Sequence, residues 1–163
     1  MVHWSPPLCL WFKANFDGAI FQDIAAAGLG VVIRDHEGKV IGALSERIAL
    51  PPSVDDVEAL ACRRAISFAR KIGLQEVYVV FETIIKSLNS DEFCLAPFGH
   101  LIEDSLQLTS SFRSLAFSHV RRKGNCVANK LAKLAKGSTL SQIWLEDIHN
   151  DATNLVMFDR SFC

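Results

Sequence analysis

A chain of 163 residues has the size of one domain, and with half of its residues hydrophobic and 21% charged it can bury a core, which excludes an intrinsically disordered chain. Seventeen Lys and Arg against eighteen Asp and Glu leave a formal charge of −1. That balance excludes both a uniformly basic nucleic-acid coat protein and an acidic solvating tail.

Residues 1–10, with Trp4, Pro6 and Pro7, read as a lead-in or linker. The two prolines interrupt the stretch where a secretory leader would need an unbroken apolar run. Phe12, Ala14 and Phe16 alternate with Lys13, Asn15 and Asp17, the period of a half-buried strand ending near Asp17. Residues 28–34 form a second strand, Asp35-His36-Glu37-Gly38 a tight turn, and residues 39–47 a third strand, completing an antiparallel meander. Ser53 caps a helix with Asp55, Asp56 and Glu58 in its first turns, and that helix runs to about Ile72 before stopping at Gly73. The apolar run 77–81 is a strand buried on both faces. Short helices are expected over 83–88 and 100–108, and a fifth strand over 115–120. Gly124-Asn125 opens a last helix with Val127, Leu131 and Leu134 on its apolar face. Trp144 and Ile148 are expected to dock a C-terminal segment, with the tail after Asn150 fraying. The order is that of an α/β fold in which an antiparallel half precedes a parallel half.

No apolar run reaches the ~18 residues of a membrane span. The five cysteines (Cys9, Cys62, Cys94, Cys126 and Cys163) contain no C-x-x-C pair, so neither a disulfide framework nor a zinc site is indicated. An intracellular setting follows. Cys62, Cys94 and Cys126 read as small buried hydrophobes.

Charge is unevenly spread. No Asp or Glu occurs between Asp104 and Glu146, a stretch that holds Arg113, Arg121, Arg122, Lys123, Lys130, Lys133 and Lys136. Such a segment is either a solvated helix face or a patch that contacts phosphates. The run Arg121-Arg122-Lys123 ahead of Gly124 favours phosphates, because a turn presents its side chains outward.

Two carboxylates carry the chemical argument. On a helix at ~100° per residue, Val54, Val57, Ala61, Ala65, Phe68 and Ile72 form one stripe, and Glu58 falls about 40° from its origin, at the border of the buried face. It is either a border residue reaching water or a metal ligand aimed at the sheet. Asp17 stands before Gly18, either as part of an ordinary Asp-Gly turn or as a second ligand where glycine allows close approach. Mg²⁺ takes oxygen ligands and needs only one or two carboxylates plus substrate phosphate.

Asn-Phe-Asp-Gly-Ala at 15–19, Gly-Leu-Gly-Val-Val-Ile-Arg-Asp at 28–35 and Val-Glu-Ala-Leu-Ala at 57–61 are followed by Ser-His-Val-Arg-Arg-Lys-Gly-Asn at 118–125 and Val-Ala-Asn-Lys-Leu-Ala at 127–132. Together these closely resemble the ribonuclease H type 1 domains of plant, retroelement-derived "reverse transcriptase-like" proteins. The resemblance covers residues 11–136 and leaves 137–163 as a partly docked C-terminal extension. It implies an RNase H-like α/β fold, a five-stranded mixed sheet of order 3-2-1-4-5 with helices on both faces. It also implies Mg²⁺- or Mn²⁺-dependent endonucleolytic hydrolysis of the RNA strand of an RNA–DNA hybrid by a monomeric domain.

Of the family's four acidic positions, Asp17 matches the first and Glu58 the second, and these two would hold metal. The third acid, after the fourth strand, is missing together with about four residues around Glu82-Thr83, through real loss or an error in the gene model. Glu82 is the only nearby carboxylate that could replace it. The fourth position is Asn129. Arg121, Arg122, Lys123 and Asn125 match the family's basic loop and would contact nucleic acid. His119 matches a His the family often has at the end of the fifth strand, where a structural role is the alternative. With two anionic ligands in place of four, the resemblance implies weakened metal affinity and impaired cleavage. The alternative is a non-catalytic nucleic-acid-binding module on the same fold.

Overall fold

The computed structural model describes residues 3–81 and 111–162, the side chains of Phe81 and His119 excepted. The helices expected over 83–88 and 100–108, along with Glu82, Cys94 and Cys163, lie outside the described residues. Six strands form one sheet: β1 (Phe12–Phe21), β2 (Ala26–Arg34), β3 (Val40–Ala49), β4 (Glu76–Phe81), β5 (Ser114–His119) and β6 (Gln142–Leu145). Their order is β5-β4-β1-β2-β3-β6. Strands β1, β2, β3 and β6 pair antiparallel, whereas β4 pairs parallel with both β1 and β5. This is the expected mixed sheet with one added edge strand, the four-residue β6, too short to declare itself by alternation.

Strand β1 runs four residues beyond the expected end, so Asp17 lies inside the strand opposite Gly30 and the turn reading of Asp17-Gly18 does not hold. Helix α1 (Val54–Lys71) begins where Ser53 accepts a hydrogen bond from the Asp56 backbone N–H. It ends at Gly73, whose φ of 83° suits a residue without Cβ. Its apolar face packs on Ala14, Phe16, Leu29, Val31 and Ile33. Val54, expected in that stripe, is exposed, because it starts the first turn and the cluster begins at Val57. Cys62 sits inside this layer, where burial pushes its thiol up to about 12.

The opposite face of the sheet carries α2 (Cys126–Leu134), preceded by a 3-10 turn over Arg122–Asn125. Successive strand residues point to opposite faces. Val32 and Ala43 therefore meet Val127, Ala128 and Leu131, while the odd-numbered residues of β2 meet α1. Every residue of β2 is consequently buried. Gly28 and Gly30 face α2 at very short range. A Cβ on Gly28 would stand 2.0 Å from the Ala132 carbonyl oxygen, and one on Gly30 would stand 2.2 Å from that of Ala128.

The chain ends are part of the packing. Trp4 is buried, and its indole N–H donates to Asn15 Oδ1 at 3.1 Å. The Trp4 ring lies 4.0 Å from the Arg34 guanidinium carbon, and Arg34 in turn meets Asp159 at 2.7 Å. Asp159 belongs to α3 (Asn150–Arg160), so the segment expected to fray is a helix. Three observations explain the difference: His149 Nδ1 accepts from the Asp151 N–H, Ala152 and Val156 are buried with Ile148, and the Arg34 charge needs a partner.

This packing can be tested at two positions. Gly30→Ala must displace α2 backbone and should cost about 1–3 kcal/mol in urea unfolding; a cost under about 0.5 kcal/mol would show that the helix has room to move. Asp159→Ala leaves the Arg34 charge buried and should cost about 3–5 kcal/mol, whereas Arg34→Met with Asp159→Leu should be much less harmful. Equal destabilisation by the single and double changes would contradict this account.

Candidate functional site

Strand β1 carries the acidic centre. Asn15 and Asp17 project toward α2, and Gly18 projects toward α1, where a Cβ would stand 2.6 Å from Val57 Cγ1. Pairing of β1 with β4 stops at Asn15 and Val80, so Asp17 stands just beyond the end of that ladder.

Both Asp17 oxygens are engaged. Oδ1 accepts from the Gly18 backbone N–H at 2.8 Å, and Oδ2 accepts from the Asn129 Nδ2 amide at 2.8 Å. Burial raises the Asp17 pKa above its ordinary value, opposed by those two hydrogen bonds and then by the positive charges of Arg122 and Lys133. Glu58 is half-buried one residue past Val57, on the helix that covers the opposite face of β1, and it has an interaction of its own. The structure thus brings Asp17 and Asn129 into direct contact, while Glu58 stands on the helix that covers the other face of β1.

Among the described residues, no group of three or more His, Cys, Asp or Glu could hold a metal ion. Asn129 also turns an N–H, not its oxygen, toward Asp17. Asp17 and Glu58 are therefore candidate carboxylates with no third acid grouped with them among the described residues, where a two-ion site shares several.

Arg121, Arg122 and Lys123 are exposed on the turn before α2, as their charge pattern suggests. Asn125 corrects its expected role as a nucleic-acid contact. It is 2% exposed, donates to the Phe16 carbonyl at 2.9 Å and accepts from Asn15 Nδ2 at 3.1 Å. The chain Trp4–Asn15–Asn125 therefore holds the basic turn onto β1. Cys126, expected to be buried, is exposed, with Sγ 3.2 Å from the Lys123 carbonyl, because it shares the outer face of α2 with Asn129, Lys130 and Lys133.

Sequence reasoning missed Asn15. Alternation assigned it to a wet face, but α2 covers that face and leaves the side chain fully buried. It also left Lys130 and Lys133 as undifferentiated charge, although they line a cavity with Arg122 and Asn129. Their three-residue spacing on one helix was the available signal.

Family and structural comparisons agree with this fold. The family model described as "Reverse transcriptase-like" matches residues 15–135, and the chain belongs to that family. Its fold is that of ribonuclease H. The chain is similar to RNase H1 from the halophilic archaeon Halobacterium salinarum (21% identity, 78% of this chain and 98% of that one, TM-score 0.68). It is equally similar to an N-terminal RNase H domain from Mycobacterium tuberculosis (21% identity, 78% and 94%, TM-score 0.68). A third solved relative is LC11-RNase H1 in complex with an RNA/DNA hybrid (23% identity, 76% and 95%, TM-score 0.64). No curated protein matches the chain. No described helix is long and apolar enough to cross a membrane.

The environment of Asp17 yields a pH prediction. A carboxyl whose folded pKa lies above its unfolded value contributes stability below the unfolded value, and that contribution is lost as pH rises through the folded value. Ionised Asp17 therefore weakens the fold at neutral pH. Asp17→Asn should raise the melting temperature at pH 7, and the gain should vanish below the ordinary carboxylate pKa of ~3.9. A melting temperature that is unchanged or lower at pH 7 would count against the burial of this charge.

Proposed function

We propose that this domain binds RNA–DNA hybrid, or a related duplex, through the phosphate backbone, and that its metal-dependent hydrolysis of the RNA strand is weak or absent. The observation that carries the reading is the state of Asp17. Its two oxygens already accept protein N–H groups, and the position opposite is an amide where an acid would add negative charge. A phosphate-binding surface needs no such acid. Exposed Arg121, Arg122 and Lys123 supply positive charge from a turn braced by Asn125 and Asn15. The RNase H fold, and a structural relative solved with RNA/DNA hybrid, support that choice of ligand.

If Mg²⁺ or Mn²⁺ binds, Asp17 and Glu58 are the carboxylates that would hold it, with Asn129 a neutral and weaker neighbour and Glu82 the remaining candidate. In this family the metal would supply an activated water and stabilise the scissile phosphate. Arg121, Arg122 and Lys123 would position the duplex with or without the ion. The domain would act inside the cell.

Fluorescence anisotropy with a labelled hybrid, together with a cleavage assay in Mg²⁺ and in Mn²⁺, tests the reading. Binding should fall steeply with salt and survive Asp17→Asn. Replacing Arg121, Arg122 and Lys123 by Gln should flatten the log-log salt slope by roughly 0.9 for each phosphate no longer neutralised. Robust cleavage abolished by Asp17→Asn would refute the proposed impairment, and binding indifferent to salt and to the three replacements would refute the proposed interface.

A further inference from the structure

Beside the Asp17 site, on the outer flank of α2, lies a cavity of about 680 Å³. Arg122 and Lys123 of the turn and Lys130 and Lys133 of the helix surround it, Asn129 links it to Asp17, and Cys126 and Leu155 of α3 give it an apolar wall. Four basic residues elsewhere have found acids: Arg34 with Asp159, Arg64 with Glu46, Arg113 with Glu76 and Lys136 with Asp23. The four cations of the cavity make no ion pair among the described residues, although Arg122 and Lys133 also favour the Asp17 anion.

Four like charges around one concavity repel each other, and low-dielectric walls focus their field into the space between them. A ligand carrying several negative charges relieves that repulsion, which a single weak anion cannot. Lys130 and Lys133 are neighbours on one helix face, and their long stems let each ammonium meet a separate group as a point charge.

We propose that this cavity is a phosphate subsite, separate from the Asp17 carboxylate, in which Lys130 and Lys133 hold two phosphates in series next to those gripped by the Arg121–Lys123 turn. A nucleic-acid strand crossing α2 toward α3 has this chemistry, and so does a free polyphosphate. Only the first source rests on the function proposed above.

The test uses the full chain with Lys130→Gln and Lys133→Gln combined, and Lys136→Gln as a control that removes the same kind of charge outside the cavity. Anisotropy with RNA–DNA hybrid and calorimetry with inorganic tripolyphosphate provide the two probes. If a strand occupies the subsite, the double variant flattens the hybrid salt slope by about 1.8, two phosphates at roughly 0.9 each, and the control does not. If a free polyphosphate occupies it, the double variant weakens tripolyphosphate binding on the order of tenfold and leaves hybrid binding unchanged. Both probes indifferent to the double variant, or equally affected by Lys136→Gln, would overturn the subsite. A wild-type chain that fails to bind hybrid at all would refute the proposed function, while tripolyphosphate would still decide the cavity.

Discussion

Backbone-to-backbone contact between α2 and β2 is the constraint on which the rest depends. Gly28 and Gly30 leave no side chain between the strand and the Ala128 and Ala132 carbonyls, so the helix seats at a depth only glycine permits. That depth brings Asn129 within hydrogen-bond reach of Asp17, carries Lys130 and Lys133 to the rim of the cavity, and sets the direction in which the basic turn leaves the sheet. The site is thus a consequence of helix–sheet packing.

Desolvation and positive charge act against each other at Asp17. Burial favours the neutral acid, while the Asn129 amide, the Gly18 N–H, Arg122 and Lys133 favour the anion. A full set of acids around a divalent ion would add negative charge that the metal neutralises. Here the influences that oppose burial come from neutral donors and from the charges of Arg122 and Lys133. Arg122 is also part of the exposed basic turn, so one cation serves both the acidic centre and the electrostatic surface.

The polar interior also ties the two ends of the described chain together. Trp4 donates to Asn15, Asn15 donates to Asn125, and Arg34 stands between the Trp4 ring and Asp159. Removing any one partner leaves another polar group buried without its match, which costs more than the interaction itself contributes. The N-terminal segment and α3 are therefore coupled to the same sheet that holds the basic turn.

The strand meander, α1 with its Ser53 and Gly73 boundaries, and the exposed basic turn were legible in the sequence, because each rests on local periodicity, capping or turn chemistry. Glu58 stood out as a carboxylate at the border of an apolar stripe, and Asp17 by its place before Gly18. What only the tertiary structure decided is which groups share a space. The burial of Asn15 and Asn125, the pairing of Arg34 with an Asp 125 residues away, and the engagement of Asp17 by Asn129 all join residues distant in sequence. Hydrophobic period reports which face of an element is covered, but hydrogen bonds and charge pairs form across that face, between elements brought together only by folding.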